Sequence, residues 1–153
     1  MTPGTSLLAG QGILRHSRRD ALLLVLAGAH GALLLTAPAA PVIALGLWWN
    51  ANTIAHNFIH KPFFRARTLN TLFSLYLSVL LGIPQSVWRG RHLAHHAGVP
   101  WRPRLDAQTL VEVILVLGLW AALLGWSWPF FLGAYLPGYA LGLCLCWLHG
   151  HYE

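Results

Sequence analysis

V-I-A-L-G-L-W-W-N-A-N-T-I-A-H-N-F-I-H, residues 42–60, is the stretch that decides the fold. It starts as an apolar run and ends in two imidazoles, His56 and His60. The hydrocarbon core of a bilayer is about 30 Å thick, so a spanning helix needs about 20 mainly apolar residues. Only a helix or a closed barrel can pair all of its backbone groups inside that core. Positions i and i+4 share one helix face, so the two histidines emerge side by side at the end of the run.

The rest of the chain repeats the signature. Of its 153 residues, enough for one domain, 56% are hydrophobic and 9% charged. The mean hydropathy is +0.56. Soluble domains carry about 25% charged residues, and this chain lacks the polar surface to cover itself in water. Other apolar runs lie at 21–36, 69–83, 110–125 and 129–148. Pro38 and Pro41 close the first of these and leave room only for a tight helical hairpin before 42–59. A secretory signal over 1–40 is the rival reading, prompted by the small residues at 36–40; the second apolar run that follows at once argues against cleavage. No repeat, low-complexity tract or linker divides the chain, so a single membrane domain over 1–153 is expected. Cys144 and Cys146 form a C-x-C inside an apolar run, with no second pair, and read as small buried residues.

The net charge is +6, but the basic residues sit in short clusters between apolar runs. That distribution encodes membrane topology and argues against nucleic acid as a partner. Arg15, Arg18 and Arg19 place the N-terminus in the cytoplasm. The first helix leaves, and the second returns to deliver His56 and His60 beside Lys61, Arg65 and Arg67. The next cluster is Arg89, Arg91, Arg102 and Arg104, so both flanks of 69–83 face the cytoplasm. That stretch must lie in the interface, or dip in and return. Residues 110–125 then cross toward Trp126 and Trp128, an interfacial aromatic belt, and 129–148 bring His149 and His151 back. The expected fold is an all-α integral membrane protein. It has about four transmembrane helices and one re-entrant or interfacial helix, with both termini and the histidine clusters on the cytoplasmic side.

Seven of the nine histidines fall in three clusters: His56-Asn-Phe-Ile-His60, His92-Leu-Ala-His95-His96 and His149-Gly-His151. The charge rule takes no account of histidine, yet it puts all three on one side. His92 and His96 repeat the i, i+4 spacing, while the adjacent His95 points roughly 100° away from His96 around a helix. Ionisable groups at membrane depth are costly and usually functional, and neutral imidazole ligates iron, zinc and copper. His16 sits in the basic tail and reads as solvated; His30, in mid-helix, reads as packed against a carbonyl or a neighbouring helix. A zinc protease would need Glu after the first histidine, and here that residue is Asn57. Haem needs two histidines at matched depth on facing spans, fewer than these clusters offer. Many histidines with only four acidic residues suit a non-haem iron site. Asn50 and Asn52, polar within the second run, are candidates for hydrogen-bonded support behind His56.

The H-x-x-x-H and H-x-x-H-H boxes resemble the first two histidine boxes of the membrane fatty acid desaturase and hydroxylase superfamily. The string His56-Asn-Phe-Ile-His60-Lys-Pro-Phe-Phe is similar to the first box of bacterial members. Trp88-Arg-Gly-Arg-His-Leu-Ala-His-His96 resembles the second, and Leu148-His-Gly-His-Tyr-Glu153 the segment that opens the last catalytic region. The resemblance implies two non-haem Fe2+ ions held by His56, His60, His92, His95 and His96, with His151 and then His149 as candidates from the third cluster. It implies O2-dependent desaturation or hydroxylation of a lipid or acyl chain, an external ferredoxin- or cytochrome-type electron donor, and a place in a bacterial inner membrane. The family ends in a further H-x-x-H-H box, and this sequence reaches Glu153 without one. The expectation is therefore the N-terminal part of a desaturase-like domain with an incomplete metal site. The rival expectations are a degenerate membrane protein without turnover and a haem-binding electron carrier.

Overall fold

In a computed structural model of the protein, residues 12–151 are described, without the side chain of His151. The expected cytoplasmic placement of Met1 and Glu153 falls outside the described residues. Each apolar run of the sequence is helical. Helix α1, Asp20–Thr36, starts with Asp20 at its positive end, where the carboxylate accepts the Ser17 amide at 3.2 Å. It stops before Pro38, whose ring disfavours helical geometry at the preceding residue. Helix α2, Ala40–Trp49, opens with Pro41 in its first turn, where no amide is needed. It runs on through a π-helical turn, Asn50–Ala55, into the short α3, His56–His60. The side-chain amides of Asn50 and Asn52 donate to the carbonyls of Gly46 and Trp48, one turn back, at 2.8 Å each.

Helix α4, Arg67–Leu81, ends at Gly82, which takes a left-handed φ of 63° that a side chain would disfavour. After Pro84, α5, Gln85–His96, leaves at 96° to α4. Gly82 and Pro84 make this corner. Helix α6, Ala107–Trp126, is capped by Asp106, which accepts the Thr109 amide at 2.8 Å. Ser127 breaks the helix and caps α7, Trp128–Phe130, which continues through a second π-helical turn, Phe131–Tyr135, into α8, Leu136–His151.

Two stretches, Ala107–Trp126 and Trp128–Gly150, are long and apolar enough to cross a membrane, and α4 with α5 makes a third if the bent pair is one broken span. Helix α6 leaves Leu110, Ile114, Leu117 and Leu124 exposed, and Trp126 and Trp128 project at the corner beyond it. A surface so apolar belongs against lipid.

Helices α2 and α8 pack closely because glycine lets them. A Cβ on Gly138 would lie 2.7 Å from the Ala40 carbonyl, and one on Gly142 would lie 3.1 Å from that of Ala44. The G-x-x-x-G spacing puts both on one face, the arrangement that brings helix backbones together in lipid. Gly142→Leu should push the helices apart and cost about 1–3 kcal/mol. The expected result is a lower unfolding temperature in detergent; an unchanged one would mean that this contact does not hold the bundle. Below it, Phe58, Phe63 and Phe73 form an edge-to-face cluster with Leu77 and Ile54, which seats α3 and the loop after it.

Candidate metal centre

The last turns of α3 and α5 meet, and each presents two imidazoles to the other. The rings of His56 and His60 lie 4.9 Å apart on α3, and those of His92 and His96 lie 4.5 Å apart on α5. Across the gap, the ring of His92 is 4.6 Å from His56 and 5.0 Å from His60. The Nε2 atom of His92 is 2.9 Å from Nε2 of His60 and 3.0 Å from Nε2 of His96. One ring nitrogen from each of the four histidines lies within 4.8 Å of every other. His92 stays neutral across the physiological range: burial, then the neighbouring imidazoles, push it down to about 4.

This donor set fits a metal ion. Imidazole ligands at about 2.1 Å from an ion sit roughly 3–4 Å from one another; His92 has that spacing to His60 and His96, and the four donor atoms lie within 4.8 Å of one another. In a neutral imidazole one ring nitrogen carries the proton and the other a lone pair, so a cluster of four offers one lone pair from each to a single ion. His56 and His92 are half-buried while His60 and His96 are exposed, so the centre opens on one side to solvent.

Packing and hydrogen bonds fix both contributing helices. Phe58 and Ile59, between the two histidines of α3, are both buried, Phe58 within the aromatic cluster. The start of α5 is pinned twice: the Gln85 amide donates to Ser78 Oγ at 3.0 Å, and the Ser86 amide donates to Glu112 Oε2 at 2.6 Å. Glu112 is wholly buried on α6, and its Oε1 accepts Ser74 Oγ at 2.8 Å and Gln108 Nε2 at 3.0 Å. Sequence reasoning missed Glu112. The available signal was a lone acid within an apolar run, a residue that persists at membrane depth only when paired.

The remaining expected residues lie elsewhere. His95 is exposed on the adjoining face of α5, its ring 5.9 Å from that of His96 and outside the four-histidine group. His149, near the end of α8, stands edge-on to Trp48 at 6.0 Å. The side chain of His151 falls outside the described residues. Asn50 is buried and bonds to His30 Nδ1 at 3.0 Å, and Asn52 reaches Cys146 Sγ at 3.6 Å. Both asparagines thus link helices around the π-helical turn. His30 packs over Gly46, against the neighbouring helix as its sequence position suggested.

A family model for fatty acid desaturases matches residues 32–110, just over half of the chain and both complete histidine boxes. The chain belongs to the fatty acid desaturase family. No curated protein and no solved structure matches it significantly. Within this desaturase-family chain, the match runs from the second half of α1 to the start of α6. It therefore covers every residue of the four-imidazole cluster.

Proposed function

We propose that the protein is a membrane di-iron oxidoreductase of the desaturase type, acting on a lipid chain with O2 and an external ferredoxin- or cytochrome-type donor. The observation that carries this reading is the grouping of four imidazoles from box one and box two, with one ring nitrogen of each within 4.8 Å of the others. His56, His60, His92 and His96 would hold one iron; His95, with His149 and His151, is the set from which this chain would serve a second. Bound iron supplies O2 activation, the oxidising power needed to remove hydrogen from an unactivated C–H bond.

The chain's own residues hold the ligands neutral and in register. The low pKa of His92 keeps a lone pair available, and the Glu112 and Ser78 contacts fix where α5 begins. Apolar helix surfaces give a lipid chain access from the bilayer while the polar linkers face water.

The proposed topology is four spans, counting α1, the continuous helix 40–60, α6 and the helix from Trp128 onward, with α4 re-entrant or interfacial. The histidine centre and both termini face the cytoplasm of a bacterial inner membrane. Two backbone hydrogen bonds between the N-terminal segment and the loop after box one support placing both on the same face. The Arg15 amide donates to the Phe63 carbonyl at 2.7 Å, and the Arg65 amide to that of Ile13 at 3.1 Å.

Metal analysis of the purified chain, followed by product analysis with a reduced donor and lipid, tests the reading. Non-haem iron together with a new double bond or hydroxyl group is the expected result. An iron-free chain that stays inert when iron is supplied would favour a degenerate scaffold, and a Soret band would favour a haem carrier.

A further inference from the structure

A second feature of the molecule lies along the flank of α5. A cleft of about 580 Å³ opens between α4, α5 and the start of α6. Arg67 lines it from α4, Arg89 from α5, and Arg102 and Arg104 from the linker before α6; Trp101 and Thr109 complete its wall. Cleft residues on α5 include Ser86, Gly90 and Ala94, which face away from the side that carries His92 and His96. Arg89 and Leu93, three residues before His92 and His96, line the cleft from the flank between the two faces, so it opens beside the imidazole cluster rather than within it.

Four arginines and one acid, Asp106, line the concavity, so it carries a net positive charge that favours an anion. The carboxylates at hand are already engaged: Asp106 caps α6 through the Thr109 amide, and Glu112 accepts three hydrogen bonds. The guanidinium fork matches phosphate oxygens two at a time. The cleft is of the size that takes a small molecule or headgroup, and it is concave, unlike the flatter patch that a protein partner would use. It also sits at the foot of α6, a spanning-length apolar helix, and Leu93, Val99 and Pro100 add an apolar lip. Trp101 at that level has the place of an interfacial tryptophan.

We propose that this cleft binds the phosphate headgroup of an anionic membrane lipid. The arginines grip the phosphodiester, the apolar lip meets the glycerol and first acyl carbons, and the lipid ties the back of the box-two helix to the foot of α6. The proposal stands apart from the metal reading, because it requires no iron and no turnover.

The test uses the full chain in mild detergent, titrated with short-chain phosphatidylglycerol, short-chain phosphatidylcholine and inorganic phosphate, with binding followed by native mass spectrometry. Phosphatidylglycerol should bind about tenfold more tightly than phosphatidylcholine, and Arg102→Gln with Arg104→Gln should erase that preference. Both arginines are exposed on the linker, so the variant should keep the wild-type unfolding temperature in lipid-free detergent. Arg91→Gln, outside the cleft, should bind as wild type. Millimolar inorganic phosphate should compete weakly, as the headgroup alone would. Equal binding of the two lipids, or an undiminished preference in the double variant, would overturn the proposal. Inorganic phosphate binding as tightly as the lipid would also overturn it, marking a site for soluble phosphates.

Discussion

Replacing His92 by alanine should strip iron from the protein. His92 is the one residue of the cluster whose Nε2 lies within 3.0 Å of two others, those of His60 and His96. Removing it takes away a ligand and also the ring against which His56 is packed at 4.6 Å. Loss of a partner behind a ligand already costs about 10–100-fold in metal affinity, so loss of this ligand should exceed about 100-fold. Oxidation of a lipid substrate should fall with it. The fold should survive, because α5 is anchored at its other end, by Ser78 and Glu112. His95→Ala should behave differently. Its ring stands outside the four-histidine group, so iron at that point should remain and only a second iron should be lost. Iron per chain, measured on both variants purified alike, separates the two outcomes. An unchanged iron content in His92→Ala would show that the four imidazoles are not the binding set.

Much of this architecture was legible in the sequence because its signals are local. An apolar run bounded by proline or charge specifies a helix and its approximate ends; thus 110–125 became Ala107–Trp126 and 69–83 became Arg67–Leu81. The i, i+4 spacing pairs His56 with His60 on α3, and on α5 it sets His92 one turn before the adjacent His95 and His96. What the pattern could not carry is phase across a joint. A π-helical turn at Asn50–Ala55 leaves no mark in hydropathy, yet it sets where His56 and His60 point. Asn50 and Asn52 are candidates for support behind His56 by their place in the sequence; what hydropathy does not show is that their amides also serve the helix around that turn and reach His30 and Cys146. Spacing also could not tell whether His95 or His96 faces α3. That depends on the 96° corner, which rotates α5 as a unit. Glu112 eluded the pattern for a related reason: its partners, Ser74 and Ser86, lie 38 and 26 residues away.

Glu112 should therefore be the most sensitive position outside the histidine cluster. It is fully buried, and one carboxylate ties three elements: Ser74 on α4, the first turn of α5 through the Ser86 amide, and Gln108 one turn back on α6. Glu112→Ala removes every acceptor at once. The Ser86 amide and the Ser74 hydroxyl are then left without their partner, at about 1–3 kcal/mol each, and the missing side chain leaves a void. A total loss of about 3–5 kcal/mol is expected, comparable with breaking a buried charged pair. Glu112→Gln keeps the shape and one acceptor oxygen, but turns an amide group toward donors, so its cost should lie between those of wild type and alanine. Ser74→Ala removes a single donor and should cost about 1 kcal/mol. The consequence should reach the metal, because the Ser86 contact sets where α5 starts and hence where His92 and His96 arrive about two turns later. Unfolding temperature and iron affinity should therefore fall together in the order Ser74→Ala, Glu112→Gln, Glu112→Ala. A Glu112→Ala protein that unfolds and binds iron like wild type would show that the buried carboxylate does not position the second box.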